Sequence, residues 1–120
     1  MAKFTNDLVM DAALDALVGN QIHVCSAQPT TRAEAVTTYN LASGAISGAN
    51  YTKANGDTSG RKTTLAAQSG LSITTTGSAT HVAITDATSL LEVTTCATQA
   101  LTSGGTVDTS AFDHEIGDPT

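Results

Sequence analysis

Basic side chains are scarce in this sequence, and their scarcity limits what the protein can bind. Five lysines and arginines stand against eleven aspartates and glutamates in 120 residues, which gives a formal net charge of −6. Nucleic-acid binding depends on clustered lysine and arginine that replace the counterions of phosphate. We therefore expect no direct contact with nucleic acid.

Long apolar runs are also missing. No stretch reaches the roughly 18 apolar residues that a membrane-spanning helix needs. Near the N-terminus, Asp7, Asp11 and Asp15 interrupt the segment that would have to form the apolar part of a signal peptide. We expect synthesis in the cytoplasm without an export signal, and no membrane contact.

Tryptophan is absent, aromatic residues make up 3% of the chain and charged residues 13%, so threonine, serine, asparagine and glutamine must supply much of the surface. Threonine is β-branched and favours strands, whereas helix-favouring lysine and glutamate are few. The length suits a single core. The composition therefore predicts one mainly β domain over residues 1–120.

Only two cysteines occur, Cys25 and Cys96, and they do not form a CxxC motif. An unpaired cysteine usually behaves as a small buried hydrophobic residue. We expect two buried, reduced thiols, and a disulfide between neighbouring strands is the alternative.

A short helix is predicted at residues 5–18, where Thr5 or Asn6 can act as the N-cap and Phe4 can pack against the first turn. Its apolar residues recur at spacings of three and four: Met10, Ala13, Leu14 and Leu17. Asp7, Asp11 and Asp15 fall on the opposite face, where like charges four residues apart repel one another. This acidic face is either solvated or in contact with a basic surface of another subunit.

The rest of the chain is predicted to form short strands that are separated by turn residues. These strands are predicted in QIHVCSA, RKTTLAAQ, LSITTT, THVAITDA, LLEVTTCA and GTVDTSAFDHEIG, with turns around Gly77-Ser78 and Gly104-Gly105. Residues 30–60 are predicted to form a long irregular arm with one strand at 39–42. The fold class that follows is a compact antiparallel β-sandwich or barrel-like domain with one short N-terminal helix.

The stretch THVAITD contains a histidine and an aspartate that could be taken for a catalytic pair. In a regular strand, His81 and Asp86 project to opposite faces of the sheet, so they cannot act together. We expect His81 to support a turn or to bond a backbone group, and Asp86 to begin a turn with Ala87, Thr88 and Ser89.

Other candidate sites are weak. A zinc site would have to combine side chains from several strands: His23, Cys25, His81, Cys96 and His114. Asn55, Asp57, Ser59 and Gly60 match the start of a calcium-binding loop, but Ala66 stands where the bidentate glutamate belongs. We predict no metal, no cofactor and no catalytic residue, and expect Arg61 and Lys62 to form salt bridges to an acidic neighbour. An enzyme or binding module using His81, His23 or Cys25 is an alternative.

Four stretches together resemble small virion proteins of tailed bacteriophages: NDLVMDAALDALVGN, VCSAQPTTRAEAVTTY, YTKANGDTSGRKTTLAAQSG and ATHVAITDATSLLEVTTCATQALTSGGTVDTSAFDHEIGDP. The resemblance implies a β-sandwich with a helix on one side and a non-enzymatic structural role. A decoration or cement protein on the outer surface of the head, stabilising contacts between capsomers, is the favoured expectation. A tail component, such as a tube-associated, tip or fibre-attachment protein, is the alternative.

The same resemblance implies the partners, which are the major capsid protein and other copies of this chain. Oligomers are normally closed and symmetric, and a trimer on a local or quasi-threefold position of the shell is the favoured arrangement. The expected location is the capsid surface of the virion. The candidate protein-contact residues lie on the helix, on the arm and next to it: Asp7, Asp11, Asp15, Arg32, Tyr39, Tyr51, Arg61 and Lys62.

Overall fold

The computed structural model of the protein describes residues 5–119. Within them lie one α-helix and nine β-strands, with short helical turns at Glu34–Thr38 and Gly48–Asn50. In chain order the elements are α1 (Asp7–Asp15), β1 (Gln21–Cys25), β2 (Asn40–Ala45), β3 (Tyr51–Asn55), β4 (Arg61–Leu65), β5 (Gln68–Ile73), β6 (Gly77–Thr85), β7 (Leu90–Leu101), β8 (Thr106–Thr109) and β9 (Phe112–Ile116).

Two antiparallel sheets form the molecule. Six strands in the order β7-β6-β1-β2-β5-β8 make a sheet that curls into a half-barrel, and β3-β4-β9 make a smaller sheet. The prediction of a compact, mainly β fold with one short helix is confirmed. The helix is shorter than predicted, and Asn6 caps it by accepting a hydrogen bond from the backbone N–H of Leu8 at 2.8 Å.

The main core lies inside the half-barrel. Alternation along β1 sends Ile22 and Val24 into this core, where they pack with residues such as Leu41 and Ile84. Leu65 of the small sheet belongs to the same cluster, and Phe112 packs against it. The small sheet therefore shares a core with the large one.

The opposite face of β1 is buried as well. Cys25 forms a second cluster with Ala35 and Ala83, and Tyr39 packs against it. Ala35 lies in the helical turn at Glu34–Thr38, so the segment just before β2 covers this face of the sheet. The covering segment explains why four consecutive residues of β1 are buried.

Residues 30–60, predicted as a long irregular arm, are instead integrated into both sheets. β2 pairs with β1 on one side and with β5 on the other, and β3 pairs with β4. The strand predicted at 39–42 overlaps the first half of β2, but the sequence of β2, NLASGA, has no β-branched residue and gives only a weak strand signal. At Gly44 the side chain of Leu71 occupies the space that a Cβ would need, so tertiary packing selects the strand here.

The predicted turns have different outcomes. Gly104 adopts a positive φ of 93° in the turn that follows β7, as expected. Gly77 and Ser78, by contrast, do not form a turn but begin β6. The link between β5 and β6 is held by a hydrogen bond from the backbone N–H of Thr74 to the carbonyl of Leu41. β5 and β6 are consecutive along the chain but do not pair, because β1 and β2 lie between them. The predicted closing strand divides into β8 and β9, which belong to different sheets.

Candidate functional site

Helix α1 directs apolar residues toward solvent as well as toward the core. Met10 and Leu14 are buried, as predicted, but Ala13 is exposed. Leu8 is 78% exposed and Val9 is 61% exposed, and these are the exposed large hydrophobic residues of the described chain. Ala12 is exposed as well. We call Leu8, Val9, Ala12 and Ala13 the apolar face of α1.

The acidic residues of α1 pair with basic residues of the small sheet. Arg61 Nε donates to Asp11 Oδ1 at 2.9 Å, and Lys53 forms an ion pair with Asp15. The hydrogen bond that Arg61 donates to Asp11 is the main reason why the pKa of Arg61 is raised, and the charges of Asp11 and Asp7 add to it. Asp7 itself is exposed. The predicted salt bridge of Arg61 is confirmed, and its partner is the helix of the same chain.

Lys62 also forms the salt bridges expected of it. Its Nζ lies 2.8 Å from Asp57 Oδ1 and 3.3 Å from Asp113 Oδ2, and these contacts raise the pKa of Lys62. The pKa of Asp113 is lowered, first by a hydrogen bond from the Thr64 hydroxyl and then by Lys62. Asp57 lies in the turn between β3 and β4, at a position that resembled a calcium ligand in the sequence. Its carboxylate instead contacts Lys62 of β4.

The other candidate contact residues make contacts within the fold. Arg32 Nε donates to the carbonyl oxygen of Asp86 at 2.8 Å. Tyr39 packs against the second cluster, which Cys25 forms with Ala35 and Ala83. Tyr51 packs against the main core, and its burial there raises its pKa. Each is partly exposed.

The histidines lie on three different strands and have separate partners. His23 is buried and bonds to Asn40 and Thr85, whereas His81 bonds to the neighbouring Thr80 hydroxyl at 2.8 Å. His114 Nδ1 lies 2.8 Å from Glu92 Oε1. Among residues 5–119, no group of three or more His, Cys, Asp or Glu side chains is arranged to hold a metal ion.

Asp86 begins a turn, as predicted. Its carboxylate accepts hydrogen bonds from the backbone N–H groups of Thr88 at 2.8 Å and Ser89 at 2.7 Å, and these bonds lower its pKa. The two cysteines are free thiols. Cys25 is buried, and burial raises its pKa to about 11, but the prediction that Cys96 is buried is wrong, because this residue lies on an exposed part of β7.

Strand β7 has a feature that sequence reasoning missed. Within the described chain it pairs only with β6, so it forms one edge of the large sheet. Residues 95–100 are all exposed, and no charged residue occurs from Val93 through Val107. We call residues 95–100 the exposed half of β7. The signal that could have found it is this charge-free run in an acidic chain.

The other sheet edges of the described chain carry charges. β3 contains Lys53, β8 contains Asp108, and β9 contains Asp113 and Glu115. Charged residues on an edge strand discourage pairing with other chains. The exposed half of β7 therefore lacks the charged residues that the other edges have.

A groove of about 340 Å³ runs beside β7, between β6 and residues 107–112. Two ionisable side chains lie among its described lining residues, Cys96 and Asp108. The carboxylate of Asp108 accepts a hydrogen bond from the backbone N–H of Gly70 at 2.8 Å, which gives it a structural role. The groove therefore presents mainly threonine, alanine and valine surface.

The apolar face of α1 and the exposed half of β7 belong to different parts of the fold. α1 packs on β4 and β9 of the small sheet and leads to Asn20, whose N–H donates to the carbonyl of Thr85 at one end of β6. Gln99 and Ala100 of β7 pair with Ala79 and Ser78 at the other end of β6. The ends of this nine-residue strand are roughly 27 Å apart at 3.4 Å per residue.

Comparison of the chain with protein-family models, with curated proteins and with solved structures gives no match. No helix in residues 5–119 is long and apolar enough to cross a membrane.

Proposed function

We propose that the protein is a non-enzymatic structural component of a tailed-phage particle, a decoration or cement protein that binds the outer surface of the head and stabilises contacts between capsomers. The observation that carries the proposal is the presence of two uncharged exposed surfaces on different parts of the fold, the apolar face of α1 and the exposed half of β7. A molecule with two such surfaces can bind a shell subunit through one of them and a second protein through the other.

The apolar face of α1 is suited to a hydrophobic contact. Single exposed apolar residues are normal on a monomer, but contiguous ones mark interaction sites. Leu8 and Val9 are adjacent in the first turn, and exposed Ala12 and Ala13 follow one turn later. Removing such surface from water contributes about 25 cal/mol per Å², which offsets the entropy that is lost on association. The small alanines allow another backbone to approach closely.

The charge pattern favours the capsid protein as the partner at this surface. Asp11 and Asp15 are paired with Arg61 and Lys53, so the helix can contact a subunit without first desolvating two unpaired carboxylates. Exposed Asp7 stays beside the apolar face. The net charge of −6 favours a shell surface with basic patches.

The test uses phage particles prepared without this protein. We expect their heads to release DNA at a lower temperature than complete heads do. Adding the purified protein should raise this release temperature back to that of complete heads. A variant with Leu8→Ser and Val9→Ser should restore it poorly, because its contact surface is polar. Ala54→Ser is the matched control, since it changes an exposed apolar residue of β3 outside both surfaces. Heads equally stable with and without the protein would contradict the proposal.

A tail role would give a different result in the same experiment. Heads lacking the protein would keep their DNA on heating, while the particles would fail to attach or would lack tails. Such a result would contradict the cement function and favour a tail component, such as a tube-associated, tip or fibre-attachment protein.

A further inference from the structure

We infer that the exposed half of β7 pairs antiparallel with the same segment of a second copy, about a twofold axis. The inference rests on the proposed function in taking this strand as a contact surface, and it adds the identity of the partner. Two six-stranded sheets would then continue into each other through the pair of β7 strands. This twofold pair differs from the trimer expected from the sequence.

The geometry of an edge strand provides the contact. On the side away from β6, the backbone N–H and C=O groups of β7 have no partner strand within residues 5–119. Such a row of groups is a template for another strand. Two identical antiparallel strands are self-complementary, which is the requirement of a twofold interface.

The charge pattern makes the exposed half of β7 the edge best suited to pairing with an identical chain. Each copy carries a net charge of −6, so two copies repel wherever their acidic residues meet. Pairing β9 with itself would bring Asp113 and Glu115 of one copy close to the same residues of the other. A foreign chain can place lysines opposite such acids, but an identical chain cannot. Only a charge-free edge suits self-pairing, and the exposed half of β7 is such an edge.

A bulge limits the length of the pair. Ala79 pairs with Gln99 and His81 with Thr95, so three residues of β7, 96–98, lie opposite the single residue Thr80. Bulges bend a strand and interrupt regular pairing. The contact therefore covers a short segment, and we expect a reversible dimer that forms with increasing concentration.

The test measures mass and backbone protection in solution. Purified protein should shift from monomer to dimer with concentration in analytical ultracentrifugation. In hydrogen exchange, the amides of residues 95–100 that point away from β6 should become protected as the dimer forms, while those of β3 should not change. Thr98→Lys should weaken the dimer by roughly tenfold or more, because it places a charge from each copy at the paired edge.

Thr52→Lys is the matched control, since Thr52 is also an exposed threonine on an edge strand and the change in net charge is the same. This variant should dimerise like the unchanged protein. A monomer at every concentration, a trimer, or a dimer protected at α1 would overturn the inference.

Binding of the same variants to heads separates the two proposals. Protein that stays monomeric but binds heads would end the inference and leave the proposed function intact. Protein that dimerises through β7 but does not bind heads would support the dimer and contradict the proposed function.

Discussion

The Nε2 atom of His23 lies 3.0 Å from the Oγ1 atom of Thr85, and both side chains are buried. The other ring nitrogen, Nδ1, lies 3.1 Å from Asn40 Oδ1. A neutral ring satisfies both contacts, because Nδ1–H donates to Asn40 while Nε2 accepts from the Thr85 hydroxyl. The network joins three adjacent strands, β2, β1 and β6.

This network predicts a loss of stability in mild acid. Burial lowers the pKa of His23 below its ordinary value of 6.5. Below pH 6.5 the unfolded chain gains a proton at this histidine that the folded chain does not, so the free energy of unfolding decreases as the pH falls toward the folded-state pKa. Urea denaturation at several pH values between pH 8 and pH 5 measures this change in the free energy of unfolding. His23→Gln should reduce the pH dependence, and an identical dependence in both proteins would contradict this account.

Two glycines with the same backbone conformation should respond differently to substitution. Gly60 and Gly70 both have a φ of 69°, where an alanine costs about 1–2 kcal/mol. At Gly60 an added Cβ would also collide with the carbonyl oxygen of Ile116 at the end of β9, whereas at Gly70 the space is open. Gly60→Ala should therefore lower the free energy of unfolding clearly more than Gly70→Ala. Equal losses of unfolding free energy in the two variants would contradict the close contact between Gly60 and the carbonyl oxygen of Ile116.

The ion pair between Asp11 and Arg61 should hold α1 on the small sheet. Asp11→Asn should lower the thermal unfolding temperature, and it should have less effect when Arg61→Gln is already present, because the partner is gone. The difference should shrink at high salt. Asp7→Asn is the comparison, since exposed Asp7 acts on Arg61 through its charge alone, and its effect should be the smaller of the two. Additive effects of the two changes would mean that the pair does not stabilise the helix.

The two thiols should differ in reactivity. Cys96 is exposed, whereas Cys25 is buried and its pKa is raised to about 11. Reaction requires an accessible thiolate. A thiol reagent near neutral pH should therefore modify one cysteine per folded chain, and the second only after unfolding. Mass spectrometry of the labelled peptides identifies which one, and rapid labelling of Cys25 in the native protein would contradict the buried cluster.

Much of the fold could be predicted from local patterns. Alternation placed Ile22 and Val24 on one face of β1 and Cys25 on the other, and an acidic helix capped by Thr5 or Asn6 was expected, of which Asn6 is the cap. The sequence predicts a strand at 39–42, but the extension of β2 to Ala45 and its pairing with β1 and β5 depend on long-range contacts. The sheet order likewise depends on contacts between residues distant in sequence.

The candidate surfaces were only partly predictable. Salt bridges to Arg61 and Lys62 follow from the shortage of basic residues, but their partners depend on how α1 and β9 pack. The charge-free run around β7 is visible in the sequence, yet its meaning depends on β7 being an edge strand, which only the sheet order decides.

The most direct measurement for the proposed function is a copy-number count in purified particles. Heads and tails are separated, and the protein is quantified against the major capsid protein in each fraction. We predict many copies on heads, in near-constant proportion to the capsid protein. A few copies that travel with tails, or none in either fraction, would contradict a decoration or cement role.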